Sequence, residues 1–164
     1  MNNETLCKTD NEMELYFSAV SANESLARMA VAAFVTEKNP TLEELSDIKT
    51  AVSEAVTNAI IHGYDNDKRY STKCNDSKKV RLYCSFIGNM LTIEIEDKGI
   101  GIANVEQAME PLFTTKPEQE RSGMGFSFME AFMDELEVET VVGEGTLIRM
   151  QKEIGYQPWI CEED

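Results

Sequence analysis

Hydrophobic and polar residues alternate along several short stretches of the chain. The clearest case is residues 13–20, where Met13, Leu15, Phe17 and Ala19 are separated by polar or aromatic neighbours. A repeat of two is typical of a strand with one face buried. We therefore predict that the domain begins with a strand at residues 13–20.

Four further stretches predict strands arranged as two hairpins. Residues 80–86 and 91–96 flank Gly88-Asn89, a residue pair that favours a tight turn. Residues 137–142 and 146–151 flank Gly143-Glu144-Gly145, which predicts a closing hairpin.

Helix-start signals occur twice between the first and second predicted strands. Residues 21–24 and 41–44 both follow the pattern S/T-x-x-E, in which two side chains cap the first turn of a helix. The first signal predicts a helix through residue 37, and the second predicts a longer helix that Gly63 ends. A third helix is predicted at residues 125–136.

The remaining segments predict loops and tails around one domain. Residues 64–79 are polar, and residues 102–122 hold no period and contain two prolines. A loop as long as the second is usually functional in a compact domain. The predicted domain covers residues 13–152, between a flexible tail at 1–12 and an acidic tail at 153–164.

The order of elements predicts an α+β fold. One strand, two helices, two strands, a helix and two strands suit a two-layer sandwich, with helices on one face of a mixed or antiparallel sheet. This order is not that of a doubly wound fold.

Charge limits the classes of partner. Fifteen basic and 30 acidic residues among 164 give a net charge of −15, which disfavours direct binding of DNA or RNA. A basic protein partner fits this charge, although acidity that only maintains solubility explains it equally well.

Metal-cluster and membrane proteins are disfavoured by residue types and hydrophobic run lengths. The four cysteines are widely spaced and His62 is the only histidine, so a zinc site has too few ligands. No apolar run approaches the roughly 20 residues of a membrane span. We expect free thiols and a cytoplasmic protein that contacts no membrane.

A polar ridge is predicted on the second long helix. Glu54, Asn58 and His62 are spaced four residues apart, and Glu54 and Asn58 lie opposite the apolar side that contains Val52. The helix pattern alone is equally compatible with an ordinary solvated face.

A carboxylate and two glycines follow the third predicted strand. Asp97, Gly99 and Gly101 form a D-x-G-x-G pattern in which glycine lets the backbone approach a ligand closely. An ordinary turn also fits this pattern. The third glycine of a dinucleotide-binding fingerprint is missing, and the chain contains no P-loop motif.

Glycines also precede the last predicted helix. Gly123 and Gly125 expose backbone N–H groups where the helix dipole attracts anions, although Ser122 as a plain N-cap is an equally good explanation. Lys116 and Arg121, in the preceding loop, are the cations best placed to reach a phosphate.

These three motifs, in this order, resemble the N, G1 and G2 boxes of the GHKL ATPase and kinase superfamily. The segments SEAVTNAIIHGY, PLFTTKP and ERSGMGF are similar to those of the sporulation anti-sigma F factors, which are serine kinases. The similarity covers residues 13–151. It implies the Bergerat ATP-binding fold.

The resemblance also implies roles for individual residues. Asn58 is expected to bind the Mg²⁺ that bridges the ATP phosphates, and Glu54 to be the general base for a substrate serine. Asp97 is expected to accept the adenine amino hydrogen, while Gly99 and Gly101 admit the base and ribose.

Further expected nucleotide contacts lie in the lid and around the last helix. Arg121 is expected to act in catalysis by reaching the γ-phosphate. The other expected nucleotide-binding residues are His62, Thr114, Thr115, Lys116, Ser122, Gly123, Met124 and Gly125.

The implied partners are proteins. The resemblance implies a homodimer that, with ATP bound, holds a sigma factor away from RNA polymerase and phosphorylates a serine of an anti-anti-sigma protein. The ADP-bound form is expected to favour the anti-anti-sigma partner, so the nucleotide acts as a switch.

Three alternatives remain open from the sequence. They are a non-catalytic, ATP-dependent sigma-binding module, a separated histidine-kinase catalytic domain, and an anti-sigma kinase of the general stress response. Arg28, on a helix rich in small and apolar residues, is a candidate for protein contact or simply a solvated arginine.

Overall fold

The computed structural model describes residues 9–64, 78–111 and 124–155. In these residues five strands form one antiparallel sheet in the order β1-β2-β3-β5-β4. The strands are β1 (Asn11–Ser18), β2 (Lys79–Ile87), β3 (Met90–Asp97), β4 (Glu135–Val141) and β5 (Gly145–Glu153). All five predicted strands are confirmed, and the predicted sheet is antiparallel rather than mixed.

The period-two pattern places apolar side chains on one face of the sheet. Leu82 of β2 is paired with Ile95 of β3, which is paired with Ile148 of β5, and all three are buried. The neighbouring positions carry Arg81, Glu94 and Arg149 on the opposite, outer face. One face therefore belongs to the core.

Three helices cover the inner face of the sheet, and a short fourth helix packs beside one of them. They are α1 (Ala22–Val35), α2 (Leu42–Asn58), the short α3 (Val105–Met109) and α4 (Gly125–Phe132). Helix α2 packs against both α1 and α4. Its buried side contains Ile48, Val52 and Val56, as the helical wheel predicts. The predicted α+β sandwich is confirmed.

Only one of the two predicted capping boxes forms. Thr41 has extended backbone angles, its side chain accepts the Glu44 N–H, and the Glu44 side chain accepts the Thr41 N–H. Ser21 instead has helical angles and makes no side-chain cap, so the prediction there is wrong. A residue already in the helix cannot turn its hydroxyl back to the first free N–H groups. Glu24 forms an ion pair with Arg28 at 3.3 Å instead.

Two other helix boundaries differ from the predictions. The predicted helix at 125–136 ends at Phe132, because Met133 is extended and the chain enters β4 at Glu135. Residues 135 and 136 pair with β5 instead of continuing the helix, because strand pairing outweighs the local helix propensity. Helix α3 lies within the predicted loop 102–122, where the Asn104 side chain caps the Gln107 N–H.

The packed chain extends beyond the predicted boundaries of 13 and 152 at both ends. Strand β1 begins at Asn11, and Ile154 is buried behind β5. The Gly155 N–H donates to the same Glu44 side chain that caps α2, at 3.0 Å. Residues 65–77 of the predicted polar loop lie outside the described residues.

Candidate functional site

The predicted polar ridge lies where α2 ends. Glu54, Asn58 and His62 are all half-buried, so this face of the helix is not an ordinary solvated surface. Beyond Asn58 the helix continues as a π-helical turn, Ala59–Tyr64, rather than ending as a regular helix at Gly63. Such turns are rare and frequently occur at functional sites.

The first residues of α4 lie directly against this ridge. A methyl group on Gly125 would be 3.1 Å from Oε2 of Glu54 and 3.4 Å from both Nδ2 and Oδ1 of Asn58. A glycine is therefore needed for the helix to approach so closely. Because free N–H groups and the positive end of the helix dipole point here, an anion could be held beside the ridge. Met124 is half-buried at the position preceding the helix.

Asp97 is the buried carboxylate of the site. It ends β3, is 5% exposed, and its Oδ1 accepts the Gly99 N–H at 2.8 Å. Burial is the largest influence and raises the pKa of Asp97 to about 6, while the Gly99 hydrogen bond acts in the opposite direction. The carboxylate is thus a buried hydrogen-bond acceptor at neutral pH.

The end of α2 contacts the turn after Asp97. A methyl group on Gly63 would be 2.7 Å from Oδ1 of Asp97, and one on Gly99 would be 1.9 Å from the Gly63 carbonyl oxygen. The Ile100 N–H donates to that same carbonyl oxygen at 2.9 Å. The predicted N and G1 boxes therefore meet in space.

Gly101 lets this turn approach the β4–β5 hairpin. Its φ is +70°, and a methyl group there would be 2.4 Å from the Val141 carbonyl oxygen. The Gly143 N–H donates to the Ile100 carbonyl oxygen at 2.8 Å. Both glycines of the pattern thus accommodate other parts of the chain, and their expected role beside a base and ribose stays a prediction.

Two threonines of the site were missed by the sequence reasoning. The Thr140 hydroxyl accepts the Ile102 N–H at 2.8 Å and donates to the Gly145 carbonyl oxygen at 3.0 Å. Thr146 is buried and is paired with Asp97 across β5 and β3. Their polar side chains lie at strand positions where the period-two pattern expects apolar residues, which is the signal that could have identified them.

Six expected site residues cannot be placed. Thr114, Thr115, Lys116, Arg121, Ser122 and Gly123 lie outside the described residues. Their expected roles stay predictions.

The donor set near Gly125 suits a hard cation. Glu54 and Asn58 offer oxygen atoms, the ligand type that Mg²⁺ prefers, and Mg²⁺ usually keeps waters and phosphate oxygens as its other ligands. The described ranges contain no group of three or more His, Cys, Asp or Glu side chains that could hold a metal. The same ranges contain no helix long and apolar enough to cross a membrane.

Residues 17–152 match the family model described as a histidine kinase-like ATPase domain. This range contains the ridge of α2, Asp97 and the first turn of α4.

Several similar proteins are named anti-sigma F factor. The one from Thermoanaerobacter sp. (strain X514) is 56% identical over 145 residues, covering 88% of this chain and 95% of that protein. The one from Clostridium perfringens (strain SM101 / Type A) is 54% identical over the same length. The one from Geobacillus sp. (strain WCH70) is 52% identical over 153 residues, covering 92% and 98%.

Solved structures share the fold at low identity. The RsbU and RsbW domains of a Mycobacterium tuberculosis protein match with a TM-score of 0.59 at 16% identity, covering 88% of this chain and 32% of that one. The catalytic domain of the histidine kinase ThkA matches with a TM-score of 0.53 at 14% identity, covering 87% and 96%. Similarity at this level supports the fold alone.

Proposed function

Because the chain belongs to the anti-sigma F factor family and carries a histidine kinase-like ATPase domain, we propose that it is a Mg²⁺-ATP-dependent protein-serine kinase that also sequesters a sigma factor. Its substrate is a serine of an anti-anti-sigma protein. The proposal places this homodimeric protein in the cytoplasm of a sporulating cell.

The observation that supports the proposal most strongly is the meeting of three sequence-distant segments. Glu54 and Asn58 of α2 lie beside the first residue of α4, and the other end of the α2 ridge contacts Asp97 through Gly63. A buried carboxylate, a helix N-terminus and side-chain oxygen atoms thus lie in one region of the domain, where they would serve as base acceptor, phosphate site and Mg²⁺ ligands. This is the set of groups that a nucleoside triphosphate requires.

Glu54 is the residue that would make the site catalytic. Bound ATP supplies the phosphoryl group. The Glu54 carboxylate, one helical turn before Asn58, would orient the serine hydroxyl and accept its proton. Asn58 would hold the metal, and Arg121 would neutralise charge on the transferred group.

The partners follow from the family and from charge. A net charge of −15 supports association with a basic surface of a sigma factor. ATP and ADP would select different partners if the lid residues contact only the γ-phosphate, because a ligand shifts an equilibrium only through differential binding. Arg28 on α1 is the proposed protein-contact residue.

The decisive experiment compares Glu54→Gln with Glu43→Gln, an exposed glutamate at the start of the same helix. We expect Glu54→Gln to bind Mg²⁺-ATP and sigma factor normally while phosphate transfer to the serine falls by roughly 10²- to 10⁴-fold. Calorimetry measures nucleotide affinity, and single-turnover transfer of labelled phosphate measures the reaction. The Glu43→Gln variant should match the wild-type protein in both.

Two outcomes would overturn the proposal in different ways. Undiminished transfer by Glu54→Gln would remove Glu54 from the reaction. Absence of transfer by the wild-type protein, with ATP and sigma factor still bound, would instead favour the non-catalytic sigma-binding module.

A further inference from the structure

Tyr64 joins three parts of the chain through one buried hydroxyl. It ends the π-helical turn, is 1% exposed, and donates a hydrogen bond to the carbonyl oxygen of Lys79 at the start of β2. The same hydroxyl accepts the backbone N–H of Lys98 at 2.8 Å. Lys98 is the residue between Asp97 and Gly99.

Three successive backbone N–H groups after Asp97 each have a defined partner. The Lys98 N–H donates to the Tyr64 hydroxyl, the Gly99 N–H to Oδ1 of Asp97, and the Ile100 N–H to the Gly63 carbonyl oxygen. Two of these three acceptors belong to the π-helical turn. The turn after Asp97 is therefore held by the π-helical turn as well as by the end of β3.

The π-helical turn is what brings both acceptors into place. A π-helical turn inserts an extra residue relative to an α-helix and rotates the residues that follow it. Gly63 thereby lies against the Asp97 carboxylate, whose Oδ1 would be 2.7 Å from a methyl group at position 63. The Tyr64 hydroxyl lies where it accepts the Lys98 N–H. Both contacts act on the turn at residues 97–100.

We propose that Tyr64 is a positioning residue that orients the Asp97 carboxylate toward a purine amino group and thereby sets base selectivity. The inference rests on the proposed nucleotide-binding function. Tyr64 is 1% exposed and its hydroxyl bonds the turn, so its effect on the nucleotide would be exerted through Asp97. It acts by fixing the Lys98 peptide, so that Oδ1 of Asp97 keeps its hydrogen bond from the Gly99 N–H. The orientation of Oδ2 is fixed as a result.

The test is Tyr64→Phe, which keeps the buried ring and removes the hydroxyl. The Lys98 N–H and the Lys79 carbonyl oxygen each lose this hydrogen-bond partner. The turn after Asp97 is then less constrained, while the buried ring keeps the core packed. The matched control is Phe86→Leu, which replaces a fully buried ring with a smaller aliphatic side chain. Phe86 is paired with Leu91, at the end of β2 and β3 opposite to Asp97. The probes are ATP and ITP, which carries a carbonyl oxygen in place of the amino group of ATP.

We expect Tyr64→Phe to lower the ratio of ATP affinity to ITP affinity by about tenfold, the size of one hydrogen bond to a charged group. Affinity for ITP should change little, since both nucleotides share the triphosphate. Exchange of the Lys98 amide hydrogen should also quicken in the nucleotide-free variant. Phe86→Leu should lower the melting temperature while preserving both the ratio and the exchange rate.

Each other result overturns the inference. An unchanged ratio in Tyr64→Phe, or an equal drop in both variants, would make Tyr64 an ordinary core residue. A wild-type protein that binds neither nucleotide would overturn the proposed function itself, whereas a wild-type protein that prefers ATP with no effect of Tyr64→Phe overturns only the role of Tyr64.

Discussion

Asp97 is a residue that is costly to the fold and for which we propose a role in nucleotide binding. Its carboxylate is almost wholly enclosed, yet it keeps the Gly99 N–H as a partner. Burying a charge destabilises a protein unless the charge is fully compensated. Residues that a fold retains at such a cost cluster at binding sites.

We predict a pH-dependent gain in stability for Asp97→Asn in the nucleotide-free protein. Because the pKa of Asp97 rises from its ordinary value of 3.8 to about 6, its contribution to stability is complete below pH 3.8 and is lost as the pH rises through about 6. That difference corresponds to about 3 kcal/mol. The free energy of unfolding of Asp97→Asn, relative to the wild-type protein, should therefore increase between pH 4 and pH 7.

Urea unfolding of both proteins at the two pH values measures this difference, and the other carboxylates cancel because both proteins share them. Addition of ATP should reverse the advantage of the variant at pH 7 if Asp97 contacts the base. A difference in unfolding free energy that is constant with pH would show that the carboxylate is not destabilised by burial.

At the scale of single elements, identical local signals led to different helix starts. Both Ser21 and Thr41 begin an S/T-x-x-E pattern, but only Thr41 has the extended backbone that lets its side chain bond the third N–H of the helix. The Ser21 backbone is helical, and the Asn23 side chain instead donates to the Ser18 carbonyl oxygen at the end of β1. The connection between the end of β1 at Ser18 and the start of α1 at Ala22 is short, and it accounts for the helical backbone of Ser21.

The pair offers a matched test of capping. We predict that Thr41→Ala lowers the free energy of unfolding by about 1 kcal/mol, since it removes a formed cap, whereas Ser21→Ala changes it by only a few tenths of a kcal/mol. Neither variant should alter nucleotide affinity, because α2 meets the site at its other end. Equal losses of stability in the two variants, measured by denaturant unfolding, would contradict the assigned cap at Thr41.

At the scale of the whole molecule, the outer face of the sheet carries a ladder of ion pairs that crosses all five strands. It runs from Glu14 on β1 through Arg81, Glu94 and Arg149 to Glu137 and Glu139 on β4. Arg149 is 3.0 Å from Glu94, 3.0 Å from Glu137 and 3.3 Å from Glu139. Hydrogen bonds to these carboxylates raise the pKa of Arg149.

We predict that Arg149→Met destabilises the protein by about 1–2 kcal/mol at low salt, because three carboxylates on an already acidic chain lose their shared cation. Arg28→Met is the comparison, since within the described residues Arg28 forms a single half-buried ion pair, with Glu24. Salt at about 0.5 M should restore much of the loss in Arg149→Met by screening the repulsion. A loss of stability that is independent of salt would assign the effect to packing of the arginine stem.

Patterns of short range were predictable from the sequence. The five strands, the Thr41 cap, the buried side of α2 and the turn at Gly88 each depend on residues a few positions apart, so periodicity and turn chemistry identify them. The ridge of Glu54, Asn58 and His62, and the position of Asp97 at a strand end, were predictable for the same reason. Their motif order also identified the family.

Features that depend on distant partners required the folded chain. Helix α4 ends at Phe132 because β5, ten and more residues away, pairs with the segment that follows, and local propensity carries no signal of that pairing. The Tyr64 hydroxyl meets Lys98, 34 positions later, only after the π-helical turn and the sheet are formed. Hydrogen bonds and ion pairs between strands depend on register and packing, which no local window of residues contains.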